Sequence, residues 1–316
     1  VSKIEANRMK LEQAPFEFEK VVDNVCAMIA DKAAAKGLEL VRDVEPALNR
    51  VLTGDPLRLG QIMLNYAGNA LKFTERGAIV LRARVIAEDE RSLLLRVEVR
   101  DSGIGIPADA VARLFSSFEQ ADSSTTRKFG GTGLGLAISR HLARMMGGDV
   151  GVDSTLGEGS TFWFTARLGK GDAAPRRHAA PGHLDGKRVL VVDDLDEARD
   201  VTADLLRSLG MVPSVVADGE AALRAVREAD AAGMPFDLAL IDWRMPGIDG
   251  IETVRRLKAL PLRQRPRCLL MTAYDHAFAG SEWEAAGYDG VLAKPVSASG
   301  LLDTLVGLLE PAHVER

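Results

Sequence analysis

The sequence has 316 residues, of which 47 % are hydrophobic and 27 % are charged, which predicts roughly two compact domains and excludes a mainly disordered chain. The net charge of −5 leaves no electrostatic footprint for nucleic acid. No apolar run reaches the ~18 residues needed to cross a bilayer, and no export segment opens the chain. Cys26 and Cys268 lie in separate apolar stretches, as buried thiols of a reducing compartment do. We therefore expect a cytoplasmic location.

The N-terminal half predicts a mixed α+β domain. Residues 1–12 are polar and helix-forming, and Pro15 ends them. Apolar residues at helical spacing follow from Phe18 to Ile29, and a second helical pattern begins after Pro56. The β-rich runs AIVLRARVI and LLLRVEVR come next, separated by the turn-like EDERS. Helices and strands that do not strictly alternate favour an α+β sandwich.

The C-terminal half has a different order of sequence patterns. After a Gly-, Pro- and Ala-rich stretch at 169–186, which predicts an exposed linker, the short apolar runs RVLVV, LALI, RCLLM and GVLA alternate with helical patterns. This alternation is typical of βα units around a parallel sheet. The chain opens with Val1 in the middle of a helical pattern, so we expect it to be part of a longer protein.

Two glycine-rich loops in the first half predict a nucleotide site, although the P-loop pattern is missing. The loop DSGIGIP opens with Asp101 after a strand, and this carboxylate can accept from the amino group of adenine but repels the carbonyl of guanine. The loop GGTGLGLAI runs into an apolar helix, whose positive end favours phosphates. Asn65, Asn69 and Lys72 share one helical face, with amide oxygens suited to Mg²⁺ and an ammonium suited to phosphate.

These residues resemble the catalytic ATP-binding domain of sensor histidine kinases, a member of the Bergerat ATPase fold. LNYAGNALKFT is similar to the asparagine box, DSGIGIP to the first glycine box, FSSFEQAD to the phenylalanine box, RKFGGTGLGLAIS to the lid and second glycine box, and GEGSTFWF to the closing strand motif. The resemblance covers residues 15–168, and residues 1–14 resemble the end of the dimerisation hairpin.

The roles of single residues follow from this resemblance. It implies that Asn69 is a ligand of Mg²⁺, that Asn65 and Lys72 contact the phosphates, and that Asp101 reads adenine. Residues 119–130 would be a mobile lid. The implied glycines are Gly103 and Gly105 at the base pocket and Gly131, Gly133 and Gly135 beside the triphosphate.

In the second half, side chains that can bind a cation or a phosphoryl group stand at the ends of four predicted strands. Asp193 and Asp194 follow the first, Asp242 ends the second, and Thr272 and Lys294 end the last two. Carboxyl ends of parallel strands meet at one edge of an open sheet, where such folds bind ligands. Clustered carboxylates repel one another unless a divalent cation joins them, so a Mg²⁺ site is expected here.

This constellation resembles the receiver domain of response regulators, a doubly wound (βα)5 flavodoxin-like fold, over residues 187–310, with 311–316 as a tail. The resemblance implies that Asp242 is the phosphoacceptor, that Asp193 and Asp194 bind Mg²⁺ with it, and that Thr272 and Lys294 contact the phosphoryl group. It also implies a cis Lys294–Pro295 bond. Val291 stands where an aromatic residue is common, which puts the usual switch in doubt.

Two large residues are expected to shield the phosphorylated aspartate from water. Arg244 and Tyr274 lie two positions beyond Asp242 and Thr272, at the mouth of the predicted pocket. Their bulk would slow the attack of water and prolong the phosphorylated state.

Together the two resemblances predict the C-terminal part of a hybrid sensor histidine kinase. The five histidines, at 141, 178, 183, 276 and 313, lack the setting of a phosphoacceptor, so we expect the target histidine to lie in the parent protein's dimerisation region and this chain not to phosphorylate itself. The parent would be a homodimer that passes the phosphoryl group to Asp242 and on to a histidine phosphotransfer protein or response regulator, and the sequence leaves open whether the parent is anchored in a membrane.

Two alternatives stay open from the sequence. The chain could be a regulatory module with an inactive nucleotide domain, whose receiver acts as a phosphate sink. It could also be a mechanical ATPase like gyrase or a chaperone, although Asn65 stands where such hydrolases commonly carry a water-activating carboxylate.

Overall fold

The computed structural model of the protein describes residues 10–111, 114, 134–171, 182, 184–273 and 285–309. The chain divides into two compact units, residues 1–177 and 178–316. Among the described residues, none of the helices has the length and apolar character needed to span a bilayer.

The first unit is an α+β sandwich, as predicted. Its helices are α1 (Phe18–Ala35), α2 (Pro56–Phe73), α3 (Ala108–Val111) and α4 (Leu134–Met145), and a 3-10 turn spans Pro46–Leu48. Its strands are β1 (Ala14–Glu17), β2 (Glu39–Val44), β3 (Val51–Gly54), β4 (Ala78–Glu88), β5 (Ser92–Asp101), β6 (Val150–Thr155) and β7 (Gly159–Lys170).

These strands form one mixed sheet in the order β1-β3-β7-β5-β4-β2, with β6 paired to the first half of β7. Alternate residues of β5, from Leu93 to Val99, are buried, while those between them are half-buried. This period of two gives the sheet one apolar face, against which the helices pack. Tyr66 of α2 is fully buried between Phe162 and Phe164 of β7, with ring centres 5.5 and 6.2 Å away.

Two boundaries differ from the sequence prediction. The predicted N-terminal helix does not extend through residues 10–14: residues 10–13 have no regular structure, and Ala14 begins β1. The reason is pairing with a distant segment, because β1 lies antiparallel to β3 and the Glu12 N–H donates to Asp55 Oδ2 at 3.0 Å. At the other end, β7 continues to Lys170, two residues into the predicted linker, since Gly169 and Lys170 pair with β3.

The second unit has five parallel strands flanked by helices. The strands are β8 (Arg188–Val192), β9 (Val212–Val216), β10 (Leu238–Asp242), β11 (Arg267–Thr272) and β12 (Gly290–Ala293), and the described helices are α5 (Asp196–Ser208), α6 (Gly219–Ala231), α7 (Gly250–Ala259) and α8 (Ala298–Leu309). The sheet order β9-β8-β10-β11-β12 corresponds to 2-1-3-4-5 within this unit, the flavodoxin-like order.

The sheet of this unit is buried on both faces. Consecutive residues of β8 belong to different apolar clusters: Leu190 and Val192 pack into one, and Val189 and Val191 into the other. Continuous apolar runs are therefore required in the central strands. The polar residues that follow those runs come together at the carboxyl edge of the sheet.

Candidate functional site

Asp101 ends β5 in the first unit and is buried. Its Oδ1 accepts from the Gly103 N–H at 2.8 Å, which folds the following loop back over the carboxylate. Burial raises the pKa of Asp101, and this effect exceeds the lowering by the backbone N–H groups of Gly103 and Ser160 and by the Thr74 hydroxyl. A buried carboxylate with spare acceptor capacity is suited to an amino donor of a ligand.

The two predicted glycines of this loop are required by close backbone contacts. A Cβ on Gly103 would lie 2.5 Å from the Phe73 carbonyl oxygen, at the end of α2. Gly105 has a φ of +67°, and its Cβ would lie 2.0 Å from the carbonyl oxygen of Thr155. The glycines thus let the loop lie directly against α2 on one side and β6 on the other.

Asn65 connects α2 to α4. Its side-chain Nδ2 donates to the buried Ser139 Oγ at 3.0 Å, and a Cβ on Gly135 would lie 2.4 Å from its Oδ1. Gly135 therefore permits the start of α4 to approach the amide of Asn65. The two predicted phosphate-side residues lie together, and Ser139 joins them as a third member.

Asn69 and Lys72 lie on the same helix as Asn65, and all three are half-buried beside the apolar face of α2. The Lys72 ammonium is 4.9 Å from the centre of the Phe73 ring. The predicted Gly131, Gly133, lid and phenylalanine box lie outside the described residues.

In the second unit, Lys294 joins two of the predicted carboxylates. Its Nζ lies 2.6 Å from Asp193 Oδ2 and 2.6 Å from Asp242 Oδ1. These three side chains are at most 9 % exposed, so their charges are only weakly screened by water. The strand ends thus bring these three predicted side chains together.

The remaining carboxylate oxygens are held by backbone. Asp242 Oδ2 accepts from the Arg244 N–H and Asp193 Oδ1 from the Leu195 N–H, each at 3.0 Å. Burial raises the pKa of Asp242 to about 6, with Lys294 lowering it and Asp193 raising it. Burial and the charge of Asp193 also raise the pKa of Asp194, which offers an oxygen within 4.8 Å of one from Asp193.

The other predicted receiver residues that the structure describes lie in the strands of the same sheet or directly after them. Thr272 is buried at the end of β11, and its carbonyl accepts from the Lys294 N–H at 2.8 Å. The Lys294–Pro295 bond is cis. Arg244 is exposed, with its guanidinium 5.2 Å from the centre of the Trp243 ring. Val291 is half-buried on β12, and Tyr274 lies outside the described residues.

Several residues of both sites were not foreseen. Ser160 pairs with Asp101 across β5 and β7, and the antiparallel register of two β-rich runs could have indicated it. Ser139 lies 74 positions from Asn65, and no local pattern signals that contact. Arg199 donates to the carbonyl of Asp193 at 2.5 Å, and its place one turn into the helix after the acid pair is the only sequence signal for it.

Comparisons with known proteins assign a family to each unit. Residues 54–170 match the histidine kinase-, DNA gyrase B-, and HSP90-like ATPases. Residues 189–306 match the response regulator receiver domain.

The full chain also resembles longer signalling proteins. It is 41 % identical over 240 residues to the sensor protein GacS of Pseudomonas syringae pv. syringae, covering 76 % of this chain and 26 % of GacS. It is 33 % identical over 342 residues to the sensory/regulatory protein RpfC of Xanthomonas campestris pv. campestris, covering 98 % of this chain and 46 % of RpfC. The chain thus spans less than half the length of these relatives.

A solved structure matches nearly the whole chain. Full-length ShkA in complex with AMPPNP has a TM-score of 0.77 and 34 % identity, covering 99 % of this chain and 60 % of ShkA. An ATPase-type domain followed by a receiver, in relatives that are sensor kinases, assigns the family: the chain belongs to the hybrid sensor histidine kinases.

Proposed function

We propose that the first unit binds ATP with Mg²⁺ to phosphorylate a histidine of the parent protein's dimerisation region, and that Asp242 then accepts the phosphoryl group for onward transfer. The observation that carries the proposal is the contact of the Lys294 ammonium with both Asp193 and Asp242 at 2.6 Å. Such a cluster neutralises charge at a buried strand edge, which phosphoryl transfer requires.

In the nucleotide site, Asp101 accepts from the exocyclic amino group of adenine. The loop glycines support this role, because they hold the loop against α2 and leave the buried carboxylate at the base end of the site. At the other end, the start of α4 and its N–H groups favour the phosphates, and Lys72 adds a positive charge. Asn69 offers an amide oxygen, a ligand type suited to Mg²⁺, which would neutralise phosphate charge.

At Asp242, a carboxylate oxygen forms a bond to phosphorus while the phosphorus–nitrogen bond of a phosphohistidine breaks. The imidazole leaves with the electron pair of that bond, and the product is an acyl phosphate. Lys294 neutralises the added negative charge, and the Thr272 hydroxyl donates a hydrogen bond to it. Both side chains come from the neighbouring strands of the same sheet edge.

The acid cluster also fits Mg²⁺. Asp193, Asp194 and Asp242 offer carboxylate oxygens, and the raised pKa values of Asp194 and Asp242 reflect burial and mutual repulsion. A divalent cation held by these carboxylates would relieve that repulsion and would supply charge neutralisation for the transferred group.

The proposal extends to the parent protein and its partners. The parent would act as a homodimer, and a histidine phosphotransfer protein or response regulator would receive the phosphoryl group from Asp242. We assign both units to the cytoplasm, where ATP is available and where the buried free thiols of Cys26 and Cys268 stay reduced. The family assignment to sensor kinases does not favour the inactive-module or mechanical-ATPase alternatives.

Two measurements test the proposal. Calorimetric titration with ADP and Mg²⁺ should show binding by the wild type and at least a roughly tenfold weaker affinity for Asp101→Asn, because its amide replaces one acceptor oxygen by a donor. Asn69→Ala should weaken the Mg²⁺ dependence of binding. Incubation with a small phosphodonor should label wild type and leave Asp242→Asn unlabelled. A wild type without nucleotide affinity, or an Asp242→Asn variant that is still labelled, would refute the respective half of the proposal.

A further inference from the structure

Lys36 connects the end of α1 to the end of α2. It follows the last residue of α1, and its Nζ donates to the Leu71 carbonyl at 2.5 Å and to the Thr74 carbonyl at 3.2 Å. Carbonyls at a helix C-terminus lack intrahelical partners and carry partial negative charge. A lysine ammonium donates hydrogen bonds to such carbonyls and also balances their partial negative charge.

The same turn of α2 supports the loop after Asp101. The Phe73 carbonyl accepts from the Ile104 N–H at 3.3 Å, and Gly103 lies so close to that carbonyl that a Cβ would be 2.5 Å away. The carbonyls held by Lys36 therefore flank the carbonyl on which the loop rests. The next residue, Thr74, is fully buried.

The helix that carries Lys36 is packed firmly into the first unit. Helix α1 buries Cys26, Ile29 and Ala33 in the core of the first unit, and Lys36 is the first residue beyond the helix. Lys36 itself is exposed, so replacing it removes hydrogen bonds and leaves the core packing in place.

We propose that Lys36 is a positioning residue for recognition of the adenine base: by fixing the end of α2, it holds the 101–106 loop where Asp101 meets the exocyclic amino group. This inference rests on the proposed nucleotide binding. Without the ammonium, the last turn of α2 can fray, and the loop loses the fixed carbonyl that sets its position.

The test compares two nucleotides that differ at the exocyclic group. ADP has an amino group there, from which Asp101 accepts, and IDP has a carbonyl, which Asp101 repels, so displacement of Asp101 weakens only the binding of ADP. For Lys36→Met we expect a roughly tenfold loss of ADP affinity, the size of one charge-assisted hydrogen bond, with no loss of IDP affinity. Lys36→Arg, which can reach the same carbonyls, should restore most of the ADP affinity.

The matched control is Lys32→Met, an exposed lysine one turn earlier on α1, which should bind both nucleotides like wild type. Calorimetric titration measures the ADP and IDP affinities of each variant, and urea unfolding checks that each variant is folded. Equal loss of ADP and IDP affinity by Lys36→Met, or no loss of ADP affinity, would overturn the positioning role. A wild type that binds ADP no better than IDP would instead refute adenine reading by Asp101, and a wild type that binds neither would refute the proposed function itself.

Discussion

Replacing Asp242 with asparagine should stabilise the receiver at neutral pH in the absence of Mg²⁺. The pKa of Asp242 is raised from 3.8 to about 6, with burial as the largest cause. Each pKa unit corresponds to about 1.4 kcal/mol, so ionised Asp242 costs the folded receiver about 3 kcal/mol. This figure already includes the attraction of Lys294, which keeps Asp193 as a partner in the variant.

The sign of the pH dependence follows from proton binding. Between the unfolded and the folded pKa, the folded state binds more protons than the unfolded chain, so stability falls as pH rises through this window. The wild type should lose stability relative to Asp242→Asn from about pH 4 to pH 7. Roughly half of the 3 kcal/mol difference should be present at pH 5 and nearly all of it at pH 7.

Hydrogen exchange isolates this effect within the full chain. Urea-dependent exchange of amides on β8 and β10, measured with a chelator from pH 5 to pH 8, reports the unfolding free energy of the receiver. Asp200→Asn, at an exposed position of α5, is the matched control and should stay within about 0.5 kcal/mol of wild type. A difference between Asp242→Asn and wild type that is independent of pH, or a less stable Asp242→Asn, would refute the reasoning.

Three further predictions concern single contacts. Ser139→Ala should lower the unfolding free energy of the first unit by about 1 kcal/mol, because it removes the acceptor of the Asn65 amide; unchanged urea stability would show that the contact contributes nothing. Gly105→Ala should destabilise the first unit more than Gly157→Ala. An alanine at either position would have a positive φ, which costs about 1 to 2 kcal/mol, but of the two only Gly105 also lacks room for a Cβ. Equal urea midpoints of the two variants would contradict this reasoning. Arg244→Ala should shorten the half-life of the aspartyl phosphate about threefold, equal to a barrier lowered by ~0.7 kcal/mol, and an unchanged half-life would count against shielding by Arg244.

The parallel sheet and the polar residues at its carboxyl edge were predictable because both depend on local sequence patterns. Apolar runs that end in Asp193, Asp242, Thr272 and Lys294 place these residues at one sheet edge wherever the strands lie parallel. Strand β9 was harder to locate, since Pro213 interrupts it and Val212 and Val215 are exposed. A short edge strand of this kind lacks a continuous buried run.

The contacts that join distant segments could not be predicted from local sequence. Residues 1–12 favour a helix by composition, but over residues 10–14 the pairing of β1 with β3 outweighs that propensity. Likewise, Lys36 contacts a carbonyl 35 residues away, and its position after α1 carries no sign of that partner. Motifs predict which residues take part in the chemistry, whereas the contacts that hold those residues in place depend on tertiary packing.

The most direct test of the account follows a phosphoryl group through both units. The chain is incubated with Mg²⁺, ATP labelled at the γ-phosphate and a histidine-bearing dimerisation hairpin supplied as a separate polypeptide. We expect an alkali-labile label on the wild-type chain at Asp242, and, for Asp242→Asn, an acid-labile label that stays on the hairpin. Two results would contradict this pathway: a hairpin that stays unlabelled with the wild type and also with Asp242→Asn, or an alkali-labile label on the Asp242→Asn chain.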